Sequence, residues 1–426
     1  MSPATEQERP MTTTQADLTP ELVVDFDIYD PSVTMPVDRM QEKAAELAAI
    51  GPIVWSTTHG GHWLVTSYEH VHAILRDPET FSSHPNNLVD AGQGKFLPIE
   101  LDPPEHTSYR QALQPLFSPN RMKVLEPRIR EIVIELITSF QADGKVEFVE
   151  KFAHELPTQV FLALMGWPLE DAALFTDATE VALNGRPGDT PEQAAESRTK
   201  AAYEMFGYFM KVIAERRAAI ASGDAAAEDV TNAIINTEIT DSEGVQRPLT
   251  DDELARMFFL LLIAGLHTTQ GSLAWMMLHL SQNTEERDKL IDDPAAVPAA
   301  VEEILRYEAA IAMGRRATTD ATIGDITVRA GDQLLLLLCA ANRDEGEFDE
   351  PGSLDVERTP NRHLTFGSGP HRCIGSHLAR LMLKIAAEEL HQRIPDYRLD
   401  PEDPPVVLPS QVRGFARLSL LFTPVG

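Results

Sequence analysis

Phe366-Gly367-Ser368-Gly369-Pro370-His371-Arg372-Cys373-Ile374-Gly375 is the stretch from which the rest of the chain can be interpreted. Its three glycines and its proline predict a tight loop. The following residues, 377–390, predict a helix whose apolar face consists of Leu378, Leu381, Met382, Ile385 and Ala386. A thiol on such a loop lies near backbone N–H groups and the positive end of the helix dipole, and both favour the thiolate. We therefore interpret Cys373 as a nucleophile or a metal ligand rather than as an inert core cysteine.

The composition is that of an acidic chain with enough apolar residues for a large core. Of its 426 residues, 43% are hydrophobic, and the formal net charge is −30. A surface this acidic excludes nucleic acid or an anionic membrane as a general partner. No linker rich in glycine or serine separates the periodic segments, so we predict one large domain over residues 21–426. Residues 1–20 are polar and aperiodic, which predicts a disordered N-terminus.

The cysteines and the N-terminus indicate the compartment. Cys339 and Cys373 are the two cysteines of the chain, so no disulfide framework is expected and a reducing cytoplasm is the default. Cys339 ends the apolar run 334–338 and is predicted to be a core residue. The N-terminus is acidic and rich in threonine, unlike a secretory signal. The longest apolar run, 257–266, is too short to cross a bilayer, so we expect no membrane partner.

Periodicity and breaker residues predict many helices and few strands. The predicted helices lie near residues 38–50, 68–76, 105–117, 119–142, 150–165, 168–184, 192–221, 226–237, 250–282, 284–291, 296–308 and 377–390. The predicted strands lie near 53–58 and 62–66, as a hairpin, and near 316–319, 326–329 and 333–338. Residues 80–100 are a long loop, and long loops in compact domains usually carry function. The fold class is therefore α+β with an excess of helix.

The Cys373 stretch resembles the haem-ligand loop of the cytochrome P-450 family. That loop has the pattern Phe-x-x-Gly-x-His-x-Cys-x-Gly, and its positions are filled here by Phe366, Gly369, His371, Cys373 and Gly375. The resemblance extends from about residue 40 to the C-terminus and is greatest to the soluble bacterial class that hydroxylates camphor and other terpenes. It implies the cytochrome P-450 fold, a mainly α triangular prism with a small β region.

The resemblance also implies a haem b cofactor whose iron is bound by Cys373, because a thiolate axial ligand favours O–O bond cleavage. Gly367 and Gly375 would let the backbone approach the sulfur, and Phe366 would pack against the thiolate and the macrocycle. Met313 stands where the terpene-hydroxylating relatives carry an acid that contacts a haem propionate. The resemblance therefore does not extend to that contact. The other residues implied to bind the haem are His106, Arg110, Arg315 and His363, at the propionates, and His371 within the loop.

Glu303 and Arg306 lie three residues apart on a predicted helix and can form an ion pair. Such a pair by itself is typical of a solvated helix surface. In the family, Glu-x-x-Arg belongs to a buried network that a second arginine completes. Arg358, fifteen residues before Cys373, matches that arginine. The resemblance therefore implies that these three residues have a structural role and support the Cys373 loop.

Ala264-Gly265-Leu266-His267-Thr268-Thr269 lies in the middle of the apolar helix predicted at 250–282. Glycine and threonine disfavour regular helix there, and threonine hydroxyls can bond backbone carbonyls and open a groove. In the family this groove binds O₂, and a threonine and the acid before it relay protons. Ala264, Gly265 and Thr268 match that pattern, but His267 replaces the acid. His267 is either a structural histidine that points away from the haem or a proton relay with altered chemistry.

Two contacts of the relatives are expected to be missing from this chain. Arg186 matches an arginine that pairs with the acid of the groove, but a neutral His267 cannot form that salt bridge. We therefore favour a solvated loop residue at Arg186. Gly94 matches the tyrosine that hydrogen-bonds the ketone of camphor, so that polar anchor for the substrate is absent.

The resemblance implies a substrate pocket formed by residues 84–97 and by apolar side chains of later segments. Its members are Leu88, Val89, Phe96, Leu97, Leu260, Ile263, Ala264, Ile311, Ala312 and Val412. Most of them are aliphatic, which favours a small hydrophobic substrate bound by apolar burial. Terpenoids are one such class of substrate.

These implications describe a haem-thiolate monooxygenase that takes electrons from a separate ferredoxin and its ferredoxin reductase. The enzyme would use O₂ as cosubstrate and insert one oxygen atom into the substrate, and we expect a cytoplasmic monomer. One alternative is a peroxide-driven or oxygen-independent haem-thiolate enzyme, because the acid of the groove is absent, although Thr268 argues against it. The other is a haem-binding sensor without turnover, against which the intact pocket and groove argue.

Overall fold

The structure, a computed structural model, describes residues 12–89, 94–184, 186, 189–223, 229–241 and 243–425. Helices account for most of its regular elements. The α-helices in this part of the chain are α1 (Pro31–Thr34), α2 (Met40–Ile50), α3 (Tyr68–Arg76), α4 (Glu105–Leu113), α5 (Pro119–Val124), α6 (Glu126–Thr138), α7 (Glu155–Met165), α8 (Ala172–Asn184), α9 (Pro191–Ser222), α10 (Val230–Ile235), α11 (Asp251–Gln282), α12 (Thr284–Asp292), α13 (Val297–Glu308), α14 (Leu338–Ala341) and α15 (Ser376–Arg393).

The strands are short and most of them lie near the two ends of the chain. They are β1 (Val23–Val24), β2 (Ile53–Ser56), β3 (His62–Val65), β4 (Phe81–Ser82), β5 (Lys145–Glu147), β6 (Glu238–Thr240), β7 (Gln246–Pro248), β8 (Ala312–Ala317), β9 (Ala321–Ile323), β10 (Ile326–Val328), β11 (Gln333–Leu337), β12 (Arg398–Leu399), β13 (Val406–Leu408), β14 (Gly414–Arg417) and β15 (Ser419–Leu421). The largest sheet has six strands in the order β1-β2-β3-β11-β8-β4. β2 and β3 pair antiparallel with Trp55 opposite Trp63, which confirms the predicted hairpin.

Helix α11 runs through the hydrophobic core. Its residues 254–266 pack in one cluster with α4, α7, α8 and α9. Its residues 273–280 pack in a second cluster with α6, α13 and α15. A capping box starts the helix: the Glu253 N–H donates to the Thr250 hydroxyl at 3.2 Å, and the Thr250 N–H donates to the Glu253 carboxylate at 2.8 Å. The helix that carries Ala264 to Thr268 is therefore firmly placed.

Helix α11 is also the single helix in the described ranges that is long and apolar enough to cross a membrane by length and composition. It extends well beyond the apolar run 257–266 that we used to exclude a membrane span. However, 61% of its most apolar window is buried inside the chain. Such burial is typical of the core helix of a globular protein.

The segment before β1 is more ordered than the sequence predicts. The backbone N–H of Thr13 donates to Asp332 at 2.8 Å, and the Thr13 hydroxyl donates to the same carboxylate at 2.6 Å. Residues 15–17 and 20–22 form 3₁₀ turns. The prediction of disorder is therefore wrong for residues 12–20, where Thr13 binds a buried acid far away in the sequence and 3₁₀ turns form. Residues 1–11 lie outside the described part of the chain.

Several short elements were not predicted. The strands β1, β4, β5, β6 and β7 have two or three residues each, too few for periodicity to reveal them. β8 begins at Ala312 rather than near residue 316, and Leu338 begins α14 instead of ending a strand. Cys339 lies in α14 and is 4% exposed, so the predicted core position is confirmed.

Candidate active site

The Cys373 loop is held by its own backbone and by helix α3. Gly367 and Gly369 both have a φ of +68°, a conformation that favours glycine. At Gly369 a Cβ would lie 2.6 Å from the carbonyl oxygen of Leu75, so only glycine fits there. The Cys373 N–H donates to the Phe366 carbonyl at 2.8 Å. These contacts fix the backbone of Cys373 shortly before α15 begins.

Cys373 is exposed as a residue, although protein atoms densely surround its sulfur. This surrounding raises the pKa of the thiol, whereas the N–H of Gly375 and the charges of Arg110, Arg380 and Arg372 lower it. Desolvation outweighs these favourable groups. The predicted contribution of a backbone N–H is present at Gly375, although burial gives the thiol a net upward pKa shift. A thiol in this position would be deprotonated when it binds a cation.

His106 and His371 lie against each other beside the loop, with their ring centroids 4.0 Å apart. Nδ1 of His106 and Nε2 of His371 are buried and have no hydrogen-bond partner among the described residues. Burial and neighbouring positive charge lower the pKa of His106 to about 4 and that of His371 to about 2. Both rings are therefore neutral at pH 7. Buried ring nitrogens without partners call for a polar group that this part of the chain does not supply.

Arg110 and Arg315 add positive charge around the two histidines. Arg315 is 3% exposed, and burial lowers its pKa to about 10, so it remains charged at pH 7. It donates to the carbonyl of Gly314 at 2.6 Å, and Arg110 donates to the carbonyl of Arg372. Within the described ranges neither guanidinium has an acidic partner at salt-bridge distance. Such arginines are the usual partners of a bound carboxylate.

This donor set fits a haem. Cys373 offers a soft sulfur ligand for iron, and the two arginines and two imidazoles offer donors for two propionates. Ala264 is exposed although it lies on a core helix, which leaves an accessible face inside the protein. The Met313 methyl group lies 3.5 Å from the position that a Cβ of Gly367 would take. As the sequence predicts, this position supplies an apolar contact instead of an acid.

His363 does not have the predicted role as a propionate contact. Its Nε2 lies 3.1 Å from the carboxylate of Glu302, and its Nδ1 accepts a bond of 3.2 Å from the N–H of Thr365. Because Nδ1 accepts, Nε2 carries the proton and donates to Glu302. Both ring nitrogens are thus used within the protein. The prediction is wrong because it could not foresee Glu302 as a partner.

Glu302 connects His363 to the aromatic residue of the Cys373 loop. Arg380 on α15 donates to the Glu302 carboxylate twice, at 2.6 and 2.7 Å. The same guanidinium lies over Phe366, 4.3 Å from the ring centroid, in a cation–π contact. Burial raises the pKa of Glu302, but the bonds from Arg380 and His363 outweigh burial and bring the pKa down to about 2. An ionised Glu302 therefore holds Arg380 against Phe366, and sequence reasoning did not identify this group.

The predicted network of Glu303, Arg306 and Arg358 is present. The side chains of Glu303 and Arg306 are 0% exposed and form two bonds of 2.7 Å. Arg358 donates to the same carboxylate at 3.1 and 3.2 Å. Arg306 also donates to the carbonyls of Asn342, Pro351 and Ser353. The network joins α13 to the segment before the Cys373 loop, and its structural role stays a prediction that these contacts support.

The groove residues lie on an uninterrupted α11. The Thr268 hydroxyl donates to the Ala264 carbonyl at 2.7 Å, and the Ser272 hydroxyl donates to the Thr268 carbonyl at 2.8 Å. Ala264 is exposed, and Gly265 and Thr268 are partly exposed. The predicted disruption of the helix is absent from this segment, because the hydroxyls bond carbonyls along their own helix. An accessible face with a hydroxyl is nevertheless in place.

His267 lies on another side of α11. It is buried, and its Nδ1 has no hydrogen-bond partner among the residues described. Its ring packs against Gly414, where a Cβ would lie 3.3 Å from Cε1. Burial lowers the pKa of His267 to about 4, although the charge of Glu180 opposes this shift. A neutral ring that packs on β14 supports the structural alternative for His267.

Arg186 and Gly94 are the two positions at which we expect this chain to lack a polar contact of its relatives. Arg186 forms an ion pair with Asp177 at 3.2 Å, and the two side chains are 57% and 61% exposed. The predicted solvated loop residue is therefore confirmed. Gly94 has a φ of +72°, and a Cβ there would lie 3.1 Å from Nη1 of Arg256. A larger side chain would be strained at this position.

Most of the predicted pocket residues are half-buried, as side chains around a cavity are. This group consists of Leu88, Phe96, Leu97, Leu260, Ile263, Ile311 and Val412. Ala312 is buried, and Val89 is 52% exposed. Ile311 and Val412 pair as an isolated bridge, and both line a cavity of about 20 Å³ together with Thr268. The structure thus brings these two pocket segments next to the hydroxyl of the groove.

Sequence reasoning missed the polar side chains that hold the pocket segments. Glu100 is 4% exposed and accepts from the N–H groups of Asn86 and Phe96 at 2.8 and 2.9 Å. Gln411 is also 4% exposed, and its side chain forms hydrogen bonds with four groups on other segments. A single polar residue in a loop carries no spacing pattern, so only its place beside a predicted pocket segment could have marked it.

Comparisons with known proteins agree with this arrangement. The sequence profile of the cytochrome P-450 family matches residues 190–419. The chain is 35% identical over 347 residues to mycinamicin IV hydroxylase/epoxidase of Micromonospora griseorubida. The match covers 79% of this chain and 83% of that protein. It is 33% identical over 383 residues to 20-oxo-5-O-mycaminosyltylactone 23-monooxygenase of Streptomyces fradiae, which is 86% of both chains.

Two solved structures resemble the whole fold. The crystal structure of cytochrome P-450 CYP101C1 has a TM-score of 0.84 and 27% identity, and the match covers 96% of this chain and 100% of that chain. The structure of CYP109E1 from Bacillus megaterium in complex with corticosterone has a TM-score of 0.79 and 28% identity, and the match covers 90% and 98%. The similarity therefore spans far more than the Cys373 loop.

Proposed function

Because the chain belongs to the cytochrome P-450 family, we propose that it is a monooxygenase that oxidises a hydrophobic substrate with electrons from a separate protein. The family uses haem b and O₂ for monooxygenation. One observation carries the proposal for this chain. The exposed residue Cys373 lies on a tightly held loop, and beside it two imidazoles and two guanidinium groups have no acidic partner among the described residues.

Different residues of the site have different proposed roles. When bound, a haem supplies the activation of O₂. Cys373 would hold its iron through Sγ, and His106, Arg110, Arg315 and His371 would bind its propionates through charge-assisted hydrogen bonds. Thr268 offers a hydroxyl at the accessible face of α11. Since its proton is donated to Ala264, the Thr268 oxygen is free to accept a hydrogen bond.

The substrate is proposed to be apolar, because the pocket-lining side chains are mainly aliphatic and half-buried. Relatives in this family include enzymes named for the macrolides mycinamicin IV and 20-oxo-5-O-mycaminosyltylactone, and one solved relative is in complex with the steroid corticosterone. A terpenoid therefore stands beside these two classes as a candidate. In each case burial of apolar surface would supply most of the binding, since Gly94 offers no side chain as a polar anchor.

The electron donor is proposed to be a ferredoxin with its reductase, and the protein is proposed to be a single-domain, cytoplasmic monomer. The acidic chain, with a net charge of −30, requires a local basic surface for an acidic donor. Arg372 is exposed and adjoins the Cys373 ligand. Arg110 is half-buried and directed at the Arg372 carbonyl, so Arg372 is the better candidate for docking.

A peroxide-driven oxidase is the second candidate. It is favoured by His267, which is neutral and packs on Gly414 rather than beside Thr268. Such a chain would have weak proton supply to the groove, and peroxide would bring the two protons with the oxygen. A screen with purified haem-loaded protein separates the two candidates.

The screen titrates terpenes, steroids and macrolides and follows the low- to high-spin shift of the haem. Each compound that shifts the spectrum is then incubated with ferredoxin, reductase and NAD(P)H, or with hydrogen peroxide alone. The monooxygenase proposal expects product only with the electron donors and O₂. Product from peroxide alone would favour the second candidate, and no product under either condition would contradict both for these classes.

A further inference from the structure

Gln411 is buried before β14, and its amide uses its whole hydrogen-bonding capacity. The side-chain oxygen accepts from the Tyr29 hydroxyl at 2.8 Å and from the Leu88 N–H at 2.7 Å. The side-chain nitrogen donates to the carbonyls of Asn86 and Ala312, each at 3.3 Å. A buried amide with two donors and two acceptors in use is fully satisfied.

The four partners of Gln411 come from three segments that are distant in the sequence. Tyr29 precedes α1, Asn86 and Leu88 lie in the loop before α4, and Ala312 begins β8. The backbone carbonyl of Gln411 also accepts from the Ala312 N–H at 2.8 Å. Gln411 therefore joins the segments that carry three pocket residues. These are Leu88, Ala312 and Val412, the residue that follows Gln411.

Residues 86–88 have further anchors that keep their backbone in one place. The Asn86 N–H donates to Glu100 at 2.8 Å, and the Asn86 carbonyl accepts from the Gly314 N–H at 3.0 Å. Gln333 donates to the Asn87 carbonyl at 3.0 Å. At Gly314 a Cβ would lie 2.2 Å from the Asn86 carbonyl oxygen. The anchors at Asn86 and Asn87 leave the N–H of Leu88 to Gln411.

We propose that Gln411 is a positioning residue that sets the shape of the substrate pocket by fixing Leu88 relative to Ala312 and Val412. This inference rests on the proposed function, because that function assigns the pocket. Only an amide provides the two acceptor and two donor sites that the partners require. Glutamate would place an oxygen against two carbonyls. Methionine would remove the acceptor of the Tyr29 hydroxyl and of the Leu88 N–H, and the donor to the carbonyls of Asn86 and Ala312.

The test uses the haem-loaded protein and two iron ligands of different size. Imidazole reports access to the iron, whereas 4-phenylimidazole also fills the space beside it. Gln411→Glu and Gln411→Met are expected to weaken binding of 4-phenylimidazole by about 5- to 20-fold and to change imidazole binding less than about twofold. In the same variants, hydrogen exchange of the Leu88 amide should accelerate by about tenfold or more.

Two other variants complete the design. Tyr29→Phe removes one of the four bonds, so its effects should have the same direction and a smaller size, about two- to threefold. Gln159→Met replaces a half-buried glutamine on α7 that bonds Glu155 at 3.0 Å, and it should match the wild type. This variant controls for the loss of a glutamine amide as such.

The outcomes separate this inference from the function on which it rests. Wild-type affinity for 4-phenylimidazole together with unchanged Leu88 exchange in the Gln411 variants would overturn it. An equal loss in Gln159→Met would do the same. If the Gln411 variants fail to fold, Tyr29→Phe decides, and unchanged exchange and affinity there would refute the inference. Failure of the wild type to bind imidazole would instead contradict the proposed haem site.

Discussion

Thr268 and His267 are neighbours in the sequence but have different surroundings. The Thr268 side chain is on the accessible face of α11, where its hydroxyl donates to the Ala264 carbonyl at 2.7 Å. His267 is 8% exposed and packs on Gly414. Burial lowers its pKa to about 4, so it is neutral at pH 7. Substitutions of these two residues should therefore have separate effects on the reaction.

We expect Thr268→Ala to lower the product formed per reductant consumed by about threefold or more, with peroxide in place of product. The reason is that a groove hydroxyl can hold the hydrogen bonds and protons that O₂ chemistry needs. His267→Ala should change this ratio by less than about twofold, since the ring does not share the open face. Thr269→Ala, a buried neighbour, is the control.

The measurement counts product and peroxide against reductant for each variant. An unchanged ratio in Thr268→Ala would show that the proton path does not use this groove. A large loss in His267→Ala would revive the interpretation of this histidine as a relay.

Glu302 gives a prediction about pH. Burial alone would raise its pKa, but the bonds from Arg380 and His363 bring it from 4.5 to about 2. A carboxylate with a depressed pKa in the folded state stabilises the protein above the unfolded pKa, and this stability is lost as the pH falls towards the folded value. Glu302→Gln should therefore lower the free energy of unfolding by about 2 kcal/mol at pH 7, and the difference should shrink below about pH 4.5.

Urea unfolding of wild type and variant between pH 7 and pH 3 measures this difference. Glu131→Gln is the matched control, because Glu131 forms an exposed pair with Arg128 at 2.9 Å and should contribute less than about 0.5 kcal/mol. A difference between Glu302→Gln and wild type that stays constant with pH would contradict an ionised Glu302.

Residues whose role depends on local spacing could be predicted from the sequence, and others could not. Cys373, Gly367 and Gly369 belong to one continuous loop, so its motif sufficed. His363 was assigned wrongly because its partner, Glu302, is 61 residues away. Gln411 was missed because its four partners come from three distant segments. Such contacts arise from tertiary packing, which a pattern along the chain does not contain.

At the scale of the element, α11 depends on its N-terminal cap. Thr250 and Glu253 satisfy each other's backbone N–H groups. Thr250→Ala should lower the free energy of unfolding by about 1 kcal/mol, because it leaves an N–H of the first turn without its acceptor. Thr250→Ser, which keeps the hydroxyl, should cost less than about half of that.

Thermal or urea unfolding of the two variants checks this prediction. Equal losses in Thr250→Ala and Thr250→Ser would assign the effect to the threonine methyl group instead of the cap. The haem spectrum should be the same in both variants, since the cap lies several helical turns before Ala264 and Thr268.

Helix α11 was predicted to within one residue, 250–282 against Asp251–Gln282, because its start signal and apolar content are strong. Helix α3 was predicted with the bounds observed, Tyr68–Arg76. In contrast, β6 and β7, at Glu238–Thr240 and Gln246–Pro248, form a hairpin of two three-residue strands. Strands this short are determined by their pairing rather than by their own composition.

At the scale of the whole molecule, the net charge of −30 shapes how an electron donor can dock. An acidic ferredoxin would be repelled by most of the surface and attracted locally by Arg372. Raising the ionic strength should screen the local attraction, so the contribution of Arg372 to association should shrink as salt is added. Arg372→Glu should weaken donor binding by about tenfold at low salt, whereas Arg398→Glu, an exposed arginine on β12, should weaken it less than about twofold.

The rate of haem reduction by ferredoxin, measured against salt, checks this docking site. Equal effects of the two substitutions would remove the assignment of Arg372 and leave only the general field of the molecule. No dependence on salt would argue against an acidic donor altogether.

The most direct test of the account is the spectrum of the ferrous–carbonyl complex. If Cys373 is the axial ligand, the wild-type complex shows the red-shifted Soret band of a thiolate-bound haem. Cys373→Ser should lose that band. Cys339→Ser should keep it, because Cys339 is 4% exposed in α14 and part of the core. A red-shifted band that survives in Cys373→Ser, or disappears in Cys339→Ser, would contradict the account.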